Sequence, residues 1–351
     1  MKLAHGIFLS ALATCAVSVA VNSLPARAGA PEASVLGNPG VKADAVLGTT
    51  SKYPRTLAEY GFFLDPAGRE PGSQVIPYAL NTPLYSDGAD KLRYIYLPDG
   101  AQMTDPGEGG LLDLPVGSAI IKTFAFGERY IETRLLLHRA DGWLALPYKW
   151  NEEQTEAKLA LVGARMELTR PDGEVISYQI PNKNQCKQCH VKDKVVTPIG
   201  PKSRNLSHDW LDAQAQAGRI AALPAEHDTV PHWDARAQNA DKEALARGYL
   251  DVNCAHCHQP GGSASNSGLD LRWEQKDSYA VGIRKPPVAA GRGAGGHKVS
   301  LAPGDPDASI LVYRMSSTEP GVAMPELGRS TNDEDGIAVI RQWVEGMGPA
   351  S

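Results

Sequence analysis

Beyond residue 30 the sequence has no apolar run approaching about twenty residues, so nothing there reads as a membrane span. It has no basic excess either: 35 Lys and Arg stand against 40 Asp and Glu, a formal net charge of −5. An acidic surface argues against nucleic acid or anionic lipid as a partner and favours a neutral or basic protein. Cysteine is scarce, with five in 351 residues. Four of them lie in two short motifs, so none is spare for a disulfide elsewhere. No internal repeat extends beyond those motifs.

What is present begins with a leader. One lysine, an apolar run from about Gly6 to Val21 and Ala26-Arg27-Ala28 read as a signal peptide spanning 1–28, and hence as export to the periplasm. The fifth cysteine, Cys15, would leave with it. So would Lys2 and Arg27, and the remainder would carry 33 basic against 40 acidic residues, a balance of −7. About 320 residues remain, room for two domains.

Residues 29–51 are small, polar and Pro/Gly-containing, a flexible lead-in. From 52 to 206 the runs KLRYIYLP, SAIIKTFAF, RYIETRLLLH and GWLALPYKW, separated by turn signals such as PDG and ADG, predict a mainly antiparallel β domain. Residues 207–235 start as a short helix and pass into a Pro-containing linker. From 236 to 349, Leu245, Tyr249 and Val252 set a helical register, and Ile337, Ile340, Trp343, Val344 and Met347 set another at the end. The expected class is α+β, with an antiparallel β domain followed by an all-α domain.

The chemistry sits in NQCKQCH, ending at His190, and VNCAHCH, ending at His258. Covalent haem needs two thiols for its vinyl groups and one imidazole for its iron. Cys186, Cys189 and His190 supply that set, as do Cys254, Cys257 and His258. Other uses fit less well. A zinc ribbon wants its cysteine pairs about 15–20 residues apart, whereas 64 residues separate Cys189 from Cys254. A thioredoxin-type pair wants a βαβ setting. Simple disulfides leave both histidines unexplained.

With these motifs, residues 240–348 resemble a class I-type cytochrome c domain: a helix running into CAHCH, then APGDPDASILVYRM, AMPELGRS and an aromatic-bearing terminal helix. The stretches YALNTPLYSDGADKLRYIYLP, LPVGSAIIKTF, LPYKWNEEQTEA, IPNKNQCKQCH and PVAAGRGAGG are similar to a little-characterised family of bacterial dihaem c-type cytochromes. The β part ending in its motif resembles cytochrome P460 and c′-β domains, which often leave one side of the iron open. These resemblances imply two covalently attached haem c groups, the first on the β domain and the second on the all-α domain. His190 and His258 would be iron ligands and Met324 the sixth ligand of the second haem, with Met315 as core.

Candidate sixth ligands for the first haem are His138, Met166, His208, His227 and His232, none with a ligand signature. Glu152, Glu153 and Glu156 read as a solvated turn rather than acid/base groups. Arg292, His297 and Lys298, beside a glycine-rich stretch, are candidates for pairing with propionates. The expected function is an electron carrier or relay working with a redox partner protein, with no catalytic residue assigned. The alternative is a haem enzyme, peroxidase-like or acting on small nitrogen compounds, at an open first haem.

Overall fold

Branched and aromatic residues recur along the runs that follow residue 74, and each run forms a strand. The computed structural model describes residues 40–48, 52–223, 229–238, 240–288 and 290–348. The expected signal peptide and His227 lie outside the described residues. A short helix α1 (Ala43–Leu47) precedes β1 (Val75–Tyr78), β2 (Asp90–Tyr96), β3 (Ala119–Phe126), β4 (Arg129–Arg139), β5 (Gly142–Trp150) and β6 (Ala157–Leu159). These six strands form one antiparallel sheet in sequence order. A hairpin of β7 (Ala164–Thr169) and β8 (Val175–Ile180) follows.

Next come α2 (Lys183–Cys189), the small hairpin β9 (Val191–Lys192) and β10 (Val195–Val196), and α3 (His208–Gln216). The remaining α-helices are α4 (Lys242–Asn253), α5 (Ser278–Val281), α6 (Ile310–Met315) and α7 (Glu334–Gly346). The architecture is α+β with a mainly antiparallel sheet. Among the described residues, no helix is long and apolar enough to cross a membrane.

Both faces of the sheet are covered, so β3 is buried at nearly every position. One face packs Ile121, Leu135 and Tyr148 against Tyr60, Phe62 and α1. Here the expected flexible lead-in differs from the structure: Ala45 and Val46 are buried, and their apolar side chains draw residues 43–47 into the core. The opposite face packs Ile95, Ile120 and Leu136 against Cys186, Leu206, Leu211 and Ile220. The stretch expected as a linker is therefore partly core, held also by Trp210 Nε1 donating to the Pro77 carbonyl at 2.8 Å.

The described residues from Gly40 onward belong to one compact unit, in which hydrogen bonds tie the β part to the helical part. Asp87, buried, accepts hydrogen bonds from the backbone N–H groups of Ser330 and Thr331 at 2.6 and 2.9 Å and from both hydroxyls at 3.1 and 3.0 Å. Asn253, at the end of α4, accepts from Tyr85 N at 2.8 Å and donates to the Pro83 carbonyl at 3.4 Å.

Helices α4 and α7 meet at a point with no room for a side chain. A Cβ on Gly336 would lie 2.4 Å from the Tyr249 ring, whose hydroxyl donates to Asp333 at 2.9 Å. Gly336→Ala should therefore destabilise the protein. Alanine gains about 1 kcal/mol of helix propensity, but overpacking costs about 1–3 kcal/mol and here meets an anchored ring. Urea unfolding should show a lower midpoint, and a higher one would mean that Tyr249 moves aside freely.

Candidate functional site

The first motif starts where β8 ends. Asn182 caps α2 by accepting from Asn184 N at 3.0 Å and Gln185 N at 2.8 Å, while Gln185 Oε1 accepts from Asn182 N at 3.0 Å. This reciprocal cap starts the helix, and one turn puts Cys186 and Cys189 on one face with His190 at its end. His190 Nδ1 lies 3.2 Å from the Thr197 carbonyl. A carbonyl only accepts, so Nδ1 carries the proton and Nε2 is left for a metal. Burial, then the charge of Lys122, pushes the His190 pKa down to about 3, so the ring is neutral.

The second motif ends α4, which Asp241 caps by accepting from Glu243 N at 2.9 Å. His258 Nδ1 lies 3.0 Å from Ser267 Oγ, and that hydroxyl donates to the Ala264 carbonyl at 2.7 Å. Ser267 therefore accepts from Nδ1, again leaving Nε2 free to ligate. Burial lowers the His258 pKa to about 4 and raises that of Cys254 to about 12. The four motif cysteines form no disulfide. Two segments in different settings, one following a strand and one ending a helix, thus present the same chemical set.

Each motif opens into its own cleft. The first cleft is lined by Cys186, Cys189 and His190 on one side and by residues of α4 and the 324–329 loop on another. The second is lined by Cys254, His258, Leu269, Leu271, Ile310 and Leu311. Tyr249, Met315, Met324 and Pro325 line both. Met324 is held by its backbone: its N–H donates to the Arg314 carbonyl at 3.0 Å, and its carbonyl accepts from Arg329 at 2.9 Å. Met315 is buried in the core around α4 and α7.

A row of basic side chains crosses the sheet beside the first cleft. Arg93, Lys122 and Arg134 are direct cross-strand partners on β2, β3 and β4, with Lys91 and Glu132 one step along the same face. Glu132 is fully buried, accepts from Arg134 at 2.5 and 2.8 Å and accepts from the Tyr178 hydroxyl at 2.8 Å. Burial, then Arg93 and Arg134, lowers the Lys122 pKa to about 7. Lys122, Phe124 and Arg134 line the cleft.

The two motifs meet. Cys189 Sγ, Cys257 Sγ and a ring nitrogen of His256 lie within 4.8 Å of one another. The two sulfurs are near neighbours, and their interaction pushes the Cys189 pKa up and that of Cys257 down. His256 Nδ1 is buried without a hydrogen-bond partner, an unsatisfied group beside the first cleft.

Among the described residues, those expected as candidate sixth ligands do not line the first cleft. His138 Nδ1 is bonded to the Leu114 carbonyl at 2.6 Å and its ring stacks on Trp143. Met166 packs with the β7–β8 hairpin, His208 bonds Thr229, and His232 is exposed. Glu152 and Glu153 are exposed, and Glu156 pairs with Lys158. Arg292 pairs with Glu319 and His297 packs on Tyr313.

Residues that the sequence reading passed over are Lys122, Arg134, His256, Thr197, Ser267 and Arg329. Two of them had a signal: Lys122 interrupts an otherwise apolar strand, and His256 is a second imidazole inside its motif. No family model, curated protein or solved structure matches this chain.

Proposed function

We propose that this protein is an exported dihaem c-type cytochrome that carries or relays electrons in the periplasm for a redox partner protein. The observation that supports this best is the pair of Cys-x-x-Cys-His segments, each presenting two cysteines outside any disulfide and a neutral imidazole oriented through Nδ1 beside its own cleft. In this reading the β part carries the first haem through Cys186, Cys189 and His190. The helical part carries the second through Cys254, Cys257 and His258, with Met324 as sixth ligand. Bound haem iron supplies one-electron chemistry, and a sulfur ligand favours its reduced state. Thr197 and Ser267 hold the imidazoles in the ligating tautomer.

Intact-mass measurement of the protein purified from the periplasm should give the chain from Gly29 plus two haems. A mass with no haem but with bound zinc would instead make Cys189, His256 and Cys257 the centre, a three-ligand thiolate–imidazole set.

One observation favours the second reading, an enzyme with an open first haem. The first cleft has a polar wall of Lys122 and Arg134, suited to a small polar or anionic substrate, whereas the second is lined largely by apolar side chains.

A further inference from the structure

We infer that Cys189 and Cys257, the second cysteines of the two motifs, form a built contact that joins the two haem-attachment points into one coupled pair. This rests on the dihaem reading above. The sulfurs come from positions 68 residues apart in the chain, yet they lie within 4.8 Å of each other and of His256.

The backbone, not chance side-chain placement, brings them together. Lys192 in β9 forms an antiparallel bridge with Gly262, and Asp193 N donates to the Gly261 carbonyl at 2.9 Å. The segment just after the first motif is thus paired with the segment just after the second. The turn favours glycine: Gly261 has a φ of +76°, and a Cβ on Gly262 would run into the backbone carbonyl of Cys257.

The first cysteines are not part of this contact. Cys186 packs beneath the sheet with Ile120 and Leu206, and Cys254 packs against the core of α4 and α7. The pairing is therefore specific to one thioether position on each motif. A thioether sulfur would sit two bonds from the haem ring, so attachment at these two sulfurs would bring the two attachment edges close together. A charge or spin on one centre is then felt at the other, strongly where water is excluded, and the effect is reciprocal. The buried, unpartnered Nδ1 of His256 lies at this junction.

The test uses the mature exported protein after its mass has been measured. Electron paramagnetic resonance is recorded fully oxidised and again after one electron has been added per molecule. Coupling predicts that the oxidised spectrum is broadened relative to the sum of two isolated haems, that a simple signal returns at half reduction, and that the reductive titration spreads beyond two independent one-electron curves. Two haems by mass, with additive spectra at both stages and independent curves, would overturn the contact while leaving the dihaem reading intact. Fewer than two haems by mass would instead sink that reading, and the contact with it.

Discussion

Met324→Ala should abolish the sulfur-to-iron charge-transfer band of the oxidised protein and lower the potential of the second haem, within the span of about 0.8 V that axial ligands control. Met315→Ala should leave the band in place and cost about 2–5 kcal/mol of stability. The experiment is decisive because both methionines line both clefts. Their settings differ in what they can give up. Met315 belongs to a helix and to the buried core, where its side chain is committed to packing. Met324 sits in a loop whose backbone is fastened at both ends of the residue, to Arg314 and Arg329. Arg329 also donates to the carbonyls of Ser317 and Thr331 at 2.7 and 3.0 Å, and Asp87 anchors Ser330 and Thr331 from the β part. A loop fixed in this way presents its thioether with little conformational entropy left to lose. Loss of the band in Met315→Ala and its retention in Met324→Ala would reverse the assignment.

Carbon monoxide added to the reduced wild-type protein should change the spectrum of about half the haem, because a strongly ligated iron resists it and an open one accepts it. In Met324→Ala the responding fraction should rise from about half to nearly all, since the substitution opens the second site as well. The expectation for the first site follows from its surroundings. His138, Met166, His208 and His232 all lie outside the first cleft, each held or exposed elsewhere. The groups that do line it include Lys122 and His256. No response in the wild type, with a wholly low-spin spectrum, would mean that a group lining the first cleft, Lys122, His256 or one of the two methionines, ligates the first iron, and would leave the enzyme reading without a site. A half response keeps that reading, and Lys122→Met should then weaken binding of a small anion such as azide to the oxidised first haem.

The sequence by itself determined what short-range chemistry controls. The strands around KLRYIYLP, SAIIKTFAF, RYIETRLLLH and GWLALPYKW lie where branched and aromatic residues cluster between turns. The registers of α4 and α7 follow from apolar spacings of three and four. The motifs and their internal geometry were legible because one helical turn relates Cys186 to Cys189. What only the tertiary structure decided depends on pairs distant in the chain. Residues 43–47 and 207–220 are small or polar on average, and a few apolar side chains were enough to draw them into cores made by other segments. The cationic row of Arg93, Lys122 and Arg134 exists because antiparallel register aligns three strands. The junction of Cys189 with Cys257 exists because Lys192 pairs with Gly262. Local propensity carries no record of such pairings, since their free energy comes from groups that become neighbours only when the whole chain is folded.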